Sequence, residues 1–196
     1  ADQHAPRVLR AAAANTLILG TQQVMAENTD ADGIVGSLMA QGCDPQGKTA
    51  VVQGTGGAAR GAAIGLHLAG AEVFLRSRTA ERAQEAAKTV GVGWCQNREI
   101  PDNASILVNA TPLGKQPGEP CPFGRDDIAN VSAVVDMVYS RNVTELVALA
   151  SEHKLVVADG LEVLLHQGIA QFAAFTQTVP PKEAMRTGLE ALSPAL

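Results

Sequence analysis

Residues 51–61 contain the first pattern in this sequence that could do chemistry. Four glycines lie within eight residues, shortly after two valines: Gly54, Gly56, Gly57 and Gly61. A strand that runs into glycines and then into a helix can bring backbone N–H groups close to a phosphate. The pattern predicts either a cradle for the phosphates of a dinucleotide or a tight turn without a ligand.

The next predicted strand ends in cations. Ser77, Arg78 and Thr79 follow it, and Arg82 lies one helical turn later. NAD-binding proteins usually place a carboxylate here for the ribose hydroxyls, whereas guanidinium groups bind a 2′-phosphate. The cations therefore favour NADP over NAD. The alternative is an ordinary solvated helix start, although basic side chains oppose the helix dipole there.

Other polar residues also lie at the ends of predicted elements. Asn109 and Thr111 follow a strand, where ligands bind in open α/β sheets, although a plain polar turn has the same composition. Asn28, Thr29 and Asp30 precede a helix and could cap it, a role that is compatible with chemistry at Asp30. Gln167 could be solvated on a helix, and Tyr139 could be a packed ring with a wet hydroxyl.

The elements that must position these residues alternate along the chain. Apolar runs predict strands at 49–53, 72–76, 105–109, 133–137 and 155–158, with a weaker one at 92–95. Helical spacing predicts helices at 31–42, 57–69, 80–90, 144–153, 161–175 and 182–192. Residues 115–125, rich in proline and glycine, predict a long surface loop. The fold class is α/β: a Rossmann-like, doubly wound, mostly parallel sheet with helices on both faces and additional C-terminal helices.

The amino-acid composition argues against several classes of binding partner. A net charge of −5 with one Trp, one Tyr and four Phe argues against nucleic-acid binding. No apolar stretch reaches the roughly 20 residues of a membrane helix. Three unpaired, widely spaced cysteines indicate a reducing cytoplasm. The four histidines lack ligand spacing, so we expect no metal site.

Seven short motifs together resemble one family, shikimate dehydrogenase, from about residue 11 to residue 192. They are Asn15-Thr16-Leu17, Asn28-Thr29-Asp30, Gly54-Thr55-Gly56-Gly57-Ala58-Ala59, Ser77-Arg78-Thr79, Asn109-Ala110-Thr111-Pro112-Leu113-Gly114, Asp136-Met137-Val138-Tyr139 and Asp159-Gly160 through Gln167. The Pro-Pro-Lys-Glu tail also resembles fusions of this enzyme with dehydroquinate dehydratase. The resemblance implies NADP-linked interconversion of 3-dehydroshikimate and shikimate.

The family's catalytic pair is a lysine and an aspartate. The aspartate corresponds to Asp30. The lysine, like the serines that hold the substrate carboxylate, belongs to a region of the substrate-binding domain that does not occur in these 196 residues. We therefore expect this chain alone to oxidise almost no shikimate, and we expect a further N-terminal substrate domain or a fused enzyme as its partner.

The resemblance also assigns binding roles. The substrate residues are Asn15, Asp30, Tyr139 and Gln167. The cofactor residues are Gly54, Gly56, Gly57, Ala58, Ser77, Arg78, Thr79, Arg82, Asn109, Thr111, Gly160 and Val163. The domain prediction is residues 1–30 as a remnant of the substrate domain with a hinge, 31–160 as the NADP domain and 161–196 as helices closing the cleft.

Three departures from the family pattern lie near the ligands: Lys115, Arg141 and Val163 replace a methionine, a proline and a methionine. They keep two alternatives open. One is a paralogue that uses quinate or another cyclic hydroxy acid, and the other is a dinucleotide-binding module without catalysis.

Overall fold

The protein is described by a computed structural model that covers residues 1–97, 99–116, 118–140 and 142–192. Its N-terminal part is a small sheet with strand order β1-β3-β2, in which β1 runs parallel and β2 antiparallel to β3. The elements are β1 (Gln3–His4), α1 (Pro6–Ala11), β2 (Thr16–Leu19) and β3 (Val24–Glu27). No pattern in the sequence predicted this sheet.

A second sheet of six parallel strands follows, in the order β6-β5-β4-β7-β8-β9. The strands are β4 (Thr49–Gln53), β5 (Glu72–Arg76), β6 (Gly93–Cys95), β7 (Ala104–Asn109), β8 (Ala133–Asp136) and β9 (Val156–Ala158). The strand order changes direction between β4 and β7, so a crevice opens beyond their carboxyl ends. The predicted parallel, doubly wound sheet is confirmed.

The helices are α2 (Asp30–Ala40), α3 (Gly57–Leu68), α4 (Ala80–Val90), α5 (Arg125–Ile128), α6 (Glu145–Glu152), α7 (Gly160–Thr176) and α8 (Lys182–Leu192). Six of them match predictions within two residues at each end. The single turn α5 was not predicted. The predicted surface loop at 115–125 is wrong at Phe123, whose ring is fully buried, and its Pro117 lies outside the described residues.

The sheet is buried on both faces. Val52 and Leu75 pack into one core with α2 and α3, and Val51 and Leu107 pack into a second core with Phe123. Every residue of β4 is buried, which explains the apolar run Ala50-Val51-Val52 at its centre. In the described part of the chain, no helix is long and apolar enough to cross a membrane.

Glycines let α2 lie unusually close to its neighbours. A Cβ on Gly65 of α3 would lie 2.7 Å from both Cα and O of Ala31. A Cβ on Gly61 would lie 2.8 Å from Cβ of Asp30, and one on Gly33 would lie 2.5 Å from Cγ of Gln167. The start of α2 is thus clasped between α3 and α7.

Two arginines of α1 connect the N-terminal part of the chain to α2 and α4. Arg7 pairs with Glu27 at 2.6 Å and with Asp32 of α2 at 2.8 Å. Arg10 Nη2 donates to the carbonyl of Val90, at the end of α4, at 3.1 Å.

The close approach of α3 to α2 predicts the effect of Gly65→Ala. The added methyl group would press on the Ala31 backbone, so we expect a loss of about 1–3 kcal/mol in the free energy of unfolding. The matched control is Gly188→Ala in α8, where an added Cβ would find nothing within 4 Å. That change should be neutral or gain up to about 1 kcal/mol. Urea denaturation measures both, and equal stability of the two variants would contradict the tight packing.

Candidate active site

The glycine-rich loop lies at the crevice between β4 and β7. Gly54 has φ +130°, and a Cβ there would lie 2.9 Å from the carbonyl of Ala110, so the turn requires glycine. Gly56 is the N-cap of α3, and a Cβ added to it would find nothing within 4 Å. Open space in front of uncapped helix N–H groups suits an anion.

Predicted cofactor residues that follow three strands, β4, β5 and β7, line one cleft of about 670 Å³. They are Gly54, Gly56, Ser77, Arg78, Thr79, Arg82 and Thr111. Gln53, Thr55, Ala110, Pro112 and Leu113 complete its walls and were not predicted. Within the described residues neither Arg78 nor Arg82 pairs with a carboxylate. Both guanidinium groups are therefore available to a ligand.

Four other predicted cofactor residues, Gly57, Ala58, Gly160 and Val163, do not line this cleft. Gly57 and Ala58 form the first turn of α3, so only their backbone N–H groups can serve an anion. Val163 belongs to α7, and its side chain is fully buried against Gly33 of α2. Gly160 meets the carbonyl of Val138 so closely that any Cβ would collide with it.

Asn109 is the last residue of β7, and its side chain holds the turn that follows the strand. Its Nδ2 donates to the carbonyl of Leu113 at 3.1 Å and to Asp136 Oδ1 at 2.9 Å, while its Oδ1 accepts from both the N–H and the hydroxyl of Thr111. The side chain is fully buried and does not line the cleft. The polar-turn interpretation therefore describes Asn109, and Thr111 presents the turn to the cleft.

Asp136 anchors this turn to the next one. It accepts the hydroxyl of Thr144 at 2.6 Å and the N–H of Val138 at 3.2 Å in addition to the Asn109 amide. Burial raises the pKa of this carboxyl, and these hydrogen bonds partly oppose the rise. Its position as the last residue of β8 was the sequence signal for this role.

The four predicted substrate residues form one hydrogen-bonded cluster. Asp30 Oδ1 accepts from Asn15 Nδ2 at 2.9 Å and from Gln167 Nε2 of α7. Gln167 Oε1 in turn accepts the hydroxyl of Tyr139 at 3.1 Å. Gln167 is only 7% exposed, so the solvated alternative for this residue is wrong.

The orientation of the Asn15 amide is fixed by its neighbours. Asn15 Oδ1 accepts the backbone N–H of Thr29 at 2.9 Å and the hydroxyl of Thr16 at 2.9 Å. Because its oxygen is occupied in this way, its NH2 group faces Asp30.

Asp30 is the first residue of α2, and the capping interpretation of Asn28-Thr29-Asp30 applies to the first two residues of the motif. Thr29 occupies the N-cap position, and Asn28 Oδ1 accepts the N–H of Asp30 at 3.1 Å. Asn28 is fully buried and holds the carbonyl of Ala13 through its Nδ2 at 3.1 Å. The Asp30 carboxylate is thereby left to the cluster.

Burial governs the electrostatics of the cluster. It raises the pKa of Asp30, and the hydrogen bond from Asn15 opposes the rise. It also raises the pKa of Tyr139, with the nearby Asp30 charge adding to the effect. Oδ1 of Asp30 takes both amide donors, and Oδ2 accepts no hydrogen bond from the described residues. Oδ2 can therefore bond a substrate or exchange a proton.

Arg76 contacts the cleft wall through Gln53, one of the residues that line the cleft. Its guanidinium is buried, donates to Gln53 Oε1 at 2.5 Å and to the carbonyl of Pro122 at 2.9 Å, and lies 4.5 Å from the centre of the Phe123 ring. Burial lowers its pKa, and the Asp127 charge opposes this.

The three departures from the family pattern have different surroundings. Lys115 is exposed and Val163 is buried, whereas Arg141 lies outside the described residues.

A doubly wound parallel sheet with an open glycine loop at its switch point defines a Rossmann-type dinucleotide-binding protein. Comparisons with known proteins name its family. A model of the shikimate 5′-dehydrogenase C-terminal domain matches residues 160–189. The chain is 36% identical to shikimate dehydrogenase (NADP(+)) of Halorubrum lacusprofundi, over 95% of this chain and 72% of that protein. The chain belongs to the shikimate dehydrogenase family.

Two further relatives agree. Shikimate dehydrogenase (NADP(+)) of Acidiphilium cryptum is 37% identical over 91% of this chain, which spans 66% of that protein. The crystal structure of shikimate 5-dehydrogenase from Thermus thermophilus in complex with NADP(H) and shikimate superposes with a TM-score of 0.85. It is 32% identical, over 97% of this chain and 72% of the other.

The raised pKa of Asp30 predicts how stability depends on pH in Asp30→Asn. A carboxyl whose pKa is higher in the folded state stabilises the fold at low pH, and this contribution is lost as pH rises through the folded-state pKa. The amide oxygen introduced by the substitution can still accept from both Asn15 and Gln167. The variant should match the parent below about pH 3.9, the ordinary value, and exceed its stability at neutral pH.

Urea denaturation at a series of pH values between about pH 3 and pH 8 measures this difference. Asp102→Asn, at an exposed turn, is the control and should follow the parent throughout. A variant less stable than the parent at neutral pH would contradict a raised pKa.

Proposed function

We propose that this chain provides the NADP site and part of the substrate site of an enzyme that interconverts 3-dehydroshikimate and shikimate. The observation that carries the proposal is the Asp30 cluster: hydrogen bonds join the four predicted substrate residues around the Asp30 carboxylate, and among the described residues none donates to its Oδ2. Family membership and the NADP named in the relatives support it.

The residues of the cleft fit NADP. The N–H groups at the start of α3 would hold the diphosphate, since Gly56 leaves the approach open. Arg78 and Arg82, with Ser77 and Thr79, would hold the 2′-phosphate. Bound there, the cofactor supplies the hydride. The protein's own part is to bind, to orient and to handle the proton.

The Asp30 cluster fits a ring with several hydroxyl groups. The amides of Asn15 and Gln167 can donate to or accept from hydroxyls, and the Tyr139 hydroxyl adds a third polar group. Oδ2 of Asp30 would bond the group whose proton is exchanged as the carbonyl and alcohol interconvert. Because burial disfavours the charged carboxylate, Asp30 would hold that proton more readily than an exposed aspartate.

The domain division remains part of the proposal. Residues 1–30 would belong to the substrate side, 31–160 to the cofactor domain and 161–196 to helices that close the cleft. Gln167 supports the last assignment, because it reaches from α7 to Asp30. A cytoplasmic location also remains a prediction, and the three free thiols support it.

The cofactor assignment predicts a preference in binding. The chain should bind NADP at least about tenfold more tightly than NAD, because a charge-assisted contact contributes roughly 1.5–3 kcal/mol. Arg78→Ala and Arg82→Ala should each weaken NADP binding about tenfold or more while changing NAD binding little. Isothermal titration calorimetry measures both dissociation constants.

The matched control for these variants is Arg125→Ala. Arg125 is an exposed arginine whose partner is Glu152, so its loss should leave both dissociation constants unchanged. Equal affinities of the parent chain for NADP and NAD would contradict the assignment.

The substrate assignment predicts the behaviour of Asp30→Asn in the protein as the cell makes it. Shikimate oxidation with NADP should fall about 100-fold or more in kcat, since proton transfer contributes roughly 10²–10⁴. The dissociation constant for NADP should not change. Unchanged kcat would contradict the role of Asp30, and faster turnover of quinate than of shikimate by the parent would favour the paralogue.

A further inference from the structure

Arg60 lies in the first turn of α3, and its guanidinium donates hydrogen bonds to three backbone carbonyls. Nε donates to Ala11 O at 2.6 Å, Nη1 to Thr55 O at 2.8 Å and Nη2 to Ala12 O at 3.1 Å. Among the described residues it forms no ion pair with a carboxylate. Nothing in the site proposed above uses this side chain.

The three carbonyls belong to two different parts of the site. Thr55 lies in the glycine-rich loop and lines the cleft. Ala11 ends α1, and Ala12 follows it in the left-handed conformation with φ 45°. Asn15, which bonds Asp30, lies three residues further on. Arg60 therefore joins the glycine-rich loop to residues 11–12. These residues belong to the N-terminal part of the chain, residues 1–30, which we call the substrate segment.

The residue next to Arg60 strengthens this link. A Cβ on Gly61 would lie 2.8 Å from Oδ1 of Asn28 and 2.8 Å from Cβ of Asp30. The same turn of α3 thus contacts the substrate segment through the Arg60 side chain and, one residue later, through the bare backbone of Gly61. A movement of the glycine-rich loop would therefore be passed through the first turn of α3 to the residues around Asp30.

A guanidinium is suited to this task in a way that an ammonium is not. Its donors are arranged in a rigid plane, so one group can serve several acceptors in a fixed geometry. A lysine at this position would keep the positive charge but would lose the planar arrangement of donors.

We propose that Arg60 is a positioning residue that locks the cofactor loop to the segment carrying Asn15, so that filling the cleft orders the substrate side. The inference rests on the proposed function. Coupling of this kind is reciprocal: if cofactor binding orders residues 11–16, then ordering of these residues strengthens cofactor binding by the same factor. We therefore expect weaker cofactor binding when the link is removed.

The test compares Arg60→Met, Arg60→Lys and the parent chain by calorimetry with NADP and NAD. Arg60→Met should weaken both cofactors by the same factor, about tenfold, as expected for losing hydrogen bonds from a charged donor. The ratio between NADP and NAD should stay at the parent value, because the link acts on the diphosphate loop. Arg60→Lys should remain close to Arg60→Met.

Hydrogen exchange supplies a readout that a merely structural role would not move. NADP should slow amide exchange at residues 11–16 in the parent and have no such effect in Arg60→Met. The matched control is Arg10→Met, which removes another arginine-to-carbonyl bond on the same segment. It should keep both affinities and the slowed exchange. Circular dichroism and thermal denaturation verify that each variant is folded.

Three results would overturn the inference. They are parent-like affinities in Arg60→Met, full rescue by Arg60→Lys, and a loss confined to NADP, which would place Arg60 at the 2′-phosphate instead. A parent chain that binds neither cofactor would sink the proposed function itself, and a parent with equal affinities would sink only its NADP preference.

Discussion

The arrangement of this protein depends on how closely α2 can approach α3 and α7. Bare backbone at Gly61 and Gly65 admits the first turns of α2, and Gly33 admits Gln167 from the other side. Larger side chains at these positions would push the helices apart by the width of a methyl group or more. Asp30 begins α2, so this clasp is what sets the carboxylate between the glycine loop and α7.

Burying a carboxylate in this position has a free-energy cost that the surrounding amides only partly offset. Two NH2 groups bond one oxygen, and desolvation still raises the pKa of Asp30. Such a group is a poor contributor to stability at neutral pH and a good candidate for proton exchange. The backbone around it is well satisfied, because Asn28 and Asn15 take up the N–H groups of Asp30 and Thr29.

The sequence predicted the large sheet well and the small one not at all. Continuous valine-rich runs identify strands buried on both faces, as in β4 and β8. The strands β1, β2 and β3 have two to four residues each and mix polar with apolar residues, so no periodicity marks them. Phe123 sits among prolines and glycines that indicate a surface loop, and only the tertiary fold brings its ring under Arg76.

The residues of the Asp30 cluster could be named from the sequence, and their mutual geometry could not. Motif resemblance named Asn15, Asp30, Tyr139 and Gln167, yet Gln167 and Asp30 lie 137 positions apart, beyond the reach of any local pattern. Strand ends pointed to Asn109 but could not distinguish a residue that builds the turn from one that faces the cleft. Arg60 was missed because a helical arginine usually faces solvent, and only the folded structure shows its three carbonyl partners.

The most direct test of this account is a carbon-13 NMR titration of the Asp30 carboxyl group, with Asp30→Asn used to assign the resonance. The account predicts a pKa above the ordinary value of about 3.9 and a further change in that resonance when NADP and shikimate are added together. A pKa at or below the ordinary value, with no response to the two ligands, would contradict the central role given to Asp30.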